Sequence, residues 1–145
     1  MNLSESPMPT VHKNKTFATL LAAVLGGLGL HRFYLRGARD PWAWAHLASV
    51  PLSMMAMVIA AGHPQLFLLA PLIVSVLAGF VEALVLGLMP DEKWDAAYNQ
   101  NSGRHSSSDW PLAMILVLTL GIGAIALIAT IARTFDLLFT GGAYG

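Results

Sequence analysis

Long apolar runs separated by short polar breaks set the pattern of this chain. Trp110 to Ala132 is 23 residues without an Asp, Glu, Lys or Arg. Pro41 to Gly62 adds 22 more, with His46 as the only titratable group. Leu66 to Met89 is interrupted once, by Glu82, and Thr16 to Leu30 continues past His31 and Arg32 into Phe33, Tyr34 and Leu35. A bilayer core of roughly 30 Å is crossed by about 20 apolar residues in a helix. The runs therefore predict an all-α, polytopic helical membrane protein with about four transmembrane helices, at 16–36, 42–61, 66–89 and 110–138. Membrane barrel strands would alternate apolar and polar positions, and nothing here alternates.

The connections suit that reading. Arg36 to Pro41 (RGARDP) is a charged turn, and Gly62-His63-Pro64-Gln65 is a tight helical hairpin turn. Pro51 and Pro71 fall inside apolar runs, where a membrane helix kinks rather than stops. Pro90 ends the third helix. In 91–109, the first half predicts a short interfacial helix with Trp94, Ala97 and Tyr98 on one side. The second half, rich in Ser, Gly and Asn, reads as a flexible loop. Residues 1–12 read as a disordered tail, 13–99 as one membrane domain, and 100–145 as a polar loop plus a C-terminal transmembrane helix. The run after Lys13 and Lys15 resembles a signal peptide, but a basic cluster follows it where a cleavage site would stand, so a membrane helix is expected. Composition agrees: of 145 residues, 56% are hydrophobic and only 11% charged, against about 25% charged in ordinary soluble domains. Eight basic residues balance eight acidic ones, which leaves no footprint for nucleic acid. There is no Cys, hence no disulfide, thiolate metal site or thiol nucleophile.

Four spans would put both termini and 62–65 on one face, with 36–41 and 90–109 on the other. The second face then carries Arg32, Arg36, Arg39, Lys93 and Arg104, the first Lys13, Lys15 and Arg133. Five against three points to termini outside, by the excess of Lys and Arg in cytoplasmic loops.

Within helix one, Ala18, Ala22 and Gly26 recur every four residues, shadowed by Thr19, Ala23 and Gly27. Such rows let membrane helices approach closely. On a continuous helix Gly29, Arg32 and Arg36 share that face, so Arg32 is expected to face protein; the alternative is that both arginines snorkel to the headgroups. Helix three has a similar face at Ser75, Ala78, Gly79 and Glu82. An ionisable group in a spanning helix costs at least about 2.5 kcal/mol on insertion scales and usually faces protein or water. Glu82 therefore reads either as an acid that pins helix packing or as part of a transport or proton path. Arg32 and Glu82 should share a leaflet and pair, with His31 as an alternative partner.

Other groups read more plainly. His46 belongs with Trp42, Trp44 and Trp110 in an interfacial aromatic belt; a haem between His31 and His46 would need further support, so no cofactor and no metal site are expected. Arg133 and Asp136 read as a local ion pair. Met54, Met55 and Met57 fill an apolar helix, and Asn14-Lys15-Thr16 is a weak sequon match. Asp91, Glu92 and Asp95 edge the interfacial helix. No nucleophile elbow, zinc-protease or phosphate-loop motif occurs, and no enzyme is expected.

Lys13-Asn14-Lys15, Leu20-Leu21-Ala22 and the run Leu25-Gly-Gly-Leu-Gly-Leu-His31-Arg32-Phe33-Tyr34-Leu35 resemble the TM2 domain family of membrane proteins, including bacterial NINE-type small inner-membrane proteins. The resemblance spans roughly 13–99 and is weak over 36–75. It implies that His31, Arg32, Phe33 and Tyr34 form the family motif. Glu82 and Asn99 stand where the family's later helix carries an Asp and then an Asn. Arg36 stands where Gly is usual after Leu35, and the family is described as two-helix. The resemblance implies location in the bacterial inner membrane rather than an activity. Together these readings lead to a non-enzymatic scaffold, assembly or accessory subunit acting through helix–helix association, in contact with the lipid bilayer and a second copy or another membrane protein. The alternative is a small transporter or channel subunit using Glu82 and Arg32 in a polar pathway.

Overall fold

The structure, a computed structural model, describes residues 11–144. Of the tail expected at 1–12, only Val11 and His12 fall among them. The described residues form helices and no strand: α1 (Lys15–Leu25), α2 (Leu30–Arg36), α3 (Pro41–Ile59), α4 (Gln65–Leu68), α5 (Ala70–Leu88), α6 (Asp91–Tyr98) and α7 (Trp110–Thr140). The protein is a helical membrane protein. Three helices, α3, α5 and α7, are long and apolar enough to cross a bilayer.

The expected first span, 16–36, is not one helix. Asn14 starts α1 by accepting from the Phe17 amide at 2.9 Å. A 3-10 turn over Gly26–Leu28 then ends it, and Gly29 takes a left-handed conformation, φ +71°, that costs glycine little. The chain reverses there. α1 descends along α5, with Lys15 bonded to the Met89 carbonyl and the Gly26 backbone against Gly79. α2 climbs back, with His31 and Arg32 level with Glu82 and the Leu35 carbonyl bonded to Lys13. Residues 15–36 thus form a re-entrant helical hairpin that enters and leaves by one face. Its 22 apolar-rich residues satisfied a length criterion, but the Gly-Gly-Leu-Gly break divides them into pieces too short to span.

The hairpin changes the order of faces. Asp40 accepts from the Trp42 amide at 3.0 Å and caps α3, with Pro41 at its first position, where the missing N–H is harmless. α3 descends through Pro51 to Ile59, and α5 returns antiparallel, with Ser53 against Leu72 and His46 against Ser75. The expected helix 66–89 is split at Leu69. Pro71 lies in the first turn of α5 rather than within a kinked span. α7 descends again, Leu116 against Gly87 and Gly123 against Phe80. Lys13, residues 36–40 and residues 90–109 therefore share one face, and residues 60–64 and the end of α7 lie toward the other. The expectation of both ends on one face fails for the described residues, since Lys13 and Thr140 lie toward opposite faces, and the physical cause is the hairpin.

Two rows of small residues make the close contact between α1 and α5. Ala18 and Ala22 are fully buried and Gly26 is buried; facing them are Gly79, Ala83 and Gly87. A Cβ on Gly26 would stand 2.7 Å from Gly79 Cα, so the backbones touch. Gly79 belongs to this face, whereas Ala78 is only half-buried and turns to a cleft beside α3. Ala83 and Gly87 carry the same four-residue spacing and complete the row.

Candidate functional site

Where the hairpin turns, the break brings polar groups to the middle of the packing. Glu82, on α5, is the hub. Arg32 Nε lies 2.9 Å from Glu82 Oε1 and 3.0 Å from Oε2, and Arg32 Nη2 also reaches Oε1. This two-nitrogen grip is the strong geometry for guanidinium and carboxylate. His31 Nε2 donates to Oε2 of the same carboxylate. Arg32 Nη1 lies 3.3 Å from Asp40 Oδ2, so the residue that caps α3 also anchors α2. His46 Nε2 approaches Glu82 Oε2 to 3.6 Å. Its Nδ1 lies 2.7 Å from Ser75 Oγ, and Ser75 donates at 2.7 Å to the carbonyl of Gly27, a carbonyl of the glycine turn. Ser49 donates to the His46 carbonyl at 2.6 Å. Deeper still, Ser53 Oγ accepts from the Leu72 amide at 3.1 Å, an N–H in the first turn of α5 that no helical carbonyl can serve.

His46 is not an interfacial belt residue. It is buried, its ring centroid 6.0 Å from that of His31, and both Nε2 atoms turn to one Glu82 oxygen rather than to opposite faces of a cofactor. Trp42, Trp44 and Trp110 are exposed, as belt residues would be. Arg36 is also exposed, so only Arg32 of that pair turns inward. Phe33 and Tyr34 stand apart from the charges. Phe33 packs edge-on against Trp44 at 5.3 Å, and Tyr34 edge-on against Phe17 at 5.3 Å. The Tyr34 hydroxyl accepts from the Asn14 amide at 2.9 Å. Two clefts flank Glu82. One, of about 210 Å³, opens past Leu35, Arg36 and Tyr98. The other, of about 410 Å³, lies between α3 and α5, with Arg32, His46 and Ser75 at its polar end and Trp42, Leu52 and Val74 along its apolar walls.

A second polar cluster sits at the face and includes Asn99. Asn99 Oδ1 accepts from the Lys13 amide at 2.7 Å and its Nδ2 donates to the Lys13 carbonyl at 3.1 Å. The fully buried Trp94 donates to that same carbonyl at 3.1 Å. Lys15, only 4% exposed, bonds Asp91 at 2.8 Å and Ser108 at 2.9 Å. A lysine at the end of α5 also complements the helix dipole. The segment expected to be a flexible loop is fastened by serines. Ser106 donates to Asp95 through both its amide (2.8 Å) and its hydroxyl (2.6 Å), and Ser108 does the same to Asp91 at 2.9 and 2.7 Å. These bonds hold Asp91 below the usual carboxylate range, Lys15 contributing most. They hold Asp95 at about 2, with the Ser106 hydroxyl first and the Asn99 amide next. Ala97 is exposed, so α6 buries Trp94, half-buries Tyr98 and ends at the buried Asn99.

Asp40, His46, Lys13 and Lys15 are participants that sequence reasoning missed, while Ser75 was placed on the Glu82 face without its bonds to His46 and Gly27. Asp40 carried a signal, since an Asp before Pro at a helix start is an N-cap. Lys15 carried none, because its partners are 74 or more positions away. Arg133 bonds Asp136 within α7, away from both clusters.

The family model described as TM2 domain matches residues 11–58. The matched stretch holds the hairpin and nearly all of α3, and it stops short of Glu82 and Asn99. Neither a curated protein nor a solved structure matches the chain.

Proposed function

We propose that this TM2-domain membrane protein is a non-enzymatic scaffold or accessory subunit of the bacterial inner membrane, acting through association with a second copy or another membrane protein. The observation that carries this reading is how the intramembrane polar groups are used. Arg32, Glu82, Asp40, Ser53 and Ser75 all bond other parts of the chain. The polar column between α3 and α5 runs inward from Asp40 and ends at Ser53. Thr119 and Thr130 bond carbonyls of their own helix and do not extend it. A conducting path would need polar lining through the full depth. The charges instead fasten a hairpin, and the result is a rigid body presenting residues 90–109 at one face.

Orientation follows from the same fold. Lys13, Lys15, Arg36, Arg39, Lys93 and Arg104 lie at the hairpin face, with Arg32 just inside it; of the eight basic residues, only Arg133 lies toward the other. By the positive-inside rule the hairpin face is cytoplasmic, and the end of α7 is outside. Ion and proton flux into proteoliposomes, with Glu82→Gln alongside, separates the scaffold from the transporter alternative. No flux above empty vesicles is expected. Flux that disappears in Glu82→Gln would replace the scaffold reading, while co-purification of a stoichiometric partner in mild detergent would support it.

A further inference from the structure

We infer that His46 Nε2 and Glu82 Oε2 form a proton-binding site inside the membrane, and that Ser75 fixes which nitrogen receives the proton. The hydrogen-bond directions carry the inference. The Gly27 carbonyl can only accept, so the Ser75 hydroxyl gives it its one hydrogen, across 2.7 Å. Ser75 Oγ is then an acceptor toward His46, 2.7 Å away, and His46 Nδ1 must carry the hydrogen. In a neutral imidazole the other nitrogen is then bare. That nitrogen, Nε2, faces Glu82 Oε2 at 3.6 Å. Two lone pairs oppose each other in a buried space, and a proton on Nε2 converts that repulsion into a charge-assisted contact.

The charges around the gap agree. From α5 comes Glu82, from α2 come Arg32 and His31, and Asp40 caps α3 itself. With both histidines neutral the group sums to one negative charge, and one added proton brings it to zero. His31 is the poorer receiver. Its Nε2 already donates to Glu82, and its buried Nδ1 has no hydrogen-bond partner. Protonating Nδ1 would create a buried N–H with nothing to bond, which is costly. The site is reached through the 410 Å³ cleft, whose polar end His46, Ser75 and Glu82 line. Filling it strengthens the tie between α3 and α5 beside the hairpin turn. The inference does not depend on the scaffold reading: a proton can be held here whether or not anything crosses the membrane.

The test is nitrogen NMR of the full chain in detergent, with labelled histidine and the His31→Gln and His46→Gln variants for assignment. His46 Nδ1 should be protonated throughout, and Nε2 should gain a proton as pH is lowered across about 8 to 5, the range in which imidazoles charge. His31 should keep its proton on Nε2 and stay neutral. In Ser75→Ala, which removes a hydroxyl and leaves the helix intact, His46 should lose its single tautomer and populate both. A merely structural serine would leave the tautomer unchanged. A bare Nδ1 on wild-type His46, a His46 ring unaltered across that pH range, or a proton taken up by His31 instead would each overturn the assignment.

Discussion

The hairpin of α1 and α2 and the long helix α7 look alike in hydropathy and behave oppositely in the fold. Both are apolar stretches bounded by polar residues. α7 runs 31 residues unbroken, about 46 Å at 1.5 Å per residue. Most of its side chains are exposed; only Leu112 and Thr119 are buried. Its Gly123 meets only the Phe80 side chain, and a side chain at Gly121 would meet nothing within 4 Å. The hairpin breaks after 11 residues and is held from three sides, by α5, α3 and the 90–109 segment. Its Gly26 and Gly29 meet backbone, of Gly79 and Ala43. Hydropathy measures how much of a segment tolerates lipid. It does not measure whether the segment stays helical, and it says nothing of the partners waiting for its polar groups.

The sharpest way to break the comparison is topology, where the outcome is all or none. Reporters placed after Asn14, Arg39 and Arg104 should read one side of the membrane, and reporters after His63 and Tyr144 the other. Opposite sides for Asn14 and Arg39 would make 15–36 a span and remove the hairpin. Next in size are the charges. Breaking a buried ion pair from one side costs about 3–5 kcal/mol, so Arg32→Leu and Glu82→Leu should each lower stability in detergent toward that range. The double change should recover part of the loss, because neither charge is then stranded; strictly additive losses would contradict the pairing. Arg133→Leu in α7 touches a pair at the edge and should cost below about 1 kcal/mol.

Bulk at the glycines should separate the two regions further. Overpacking costs about 1–3 kcal/mol. Gly26→Leu, with Gly79 Cα 2.7 Å from its Cβ position, should reach the top of that range, and Gly121→Leu should change thermal stability by less than about 0.5 kcal/mol. Equal tolerance of the two would rule out close backbone contact. The smallest effect concerns the fastening of the 90–109 segment. Asp95 is held at about 2 against an ordinary 3.8. Its contribution is therefore complete above about pH 4 and is lost as pH falls through 2. Acid titration followed by Trp94 fluorescence should show a late transition, moved to higher pH in Ser106→Ala. An Asp95→Asn protein showing the same acid transition would assign it elsewhere.

What the sequence determined by itself was the solvent and the elements. Runs of apolar residues with at most one charge per run dictate helices in a bilayer, because unpaired backbone is intolerable there. The bounds of α3 and α7 were legible within a few residues, since Pro41 and Pro111 sit in first turns and Gly141 ends α7 in a left-handed conformation. The row Ala18, Ala22, Gly26 announced a close contact, because small side chains at one face serve little else. Tertiary structure alone decided the rest. Whether Gly26–Gly29 continues or reverses a helix depends on what receives the freed Gly27 carbonyl, and Ser75, 48 positions away, receives it. Whether Lys15 marks the far face or the near one depends on Met89, Asp91 and Ser108. His46 read as an interfacial ring until α5 and the hairpin closed on it. Each of these outcomes rests on pairing between distant residues, and a local pattern of hydrophobic and polar positions does not encode which partner arrives.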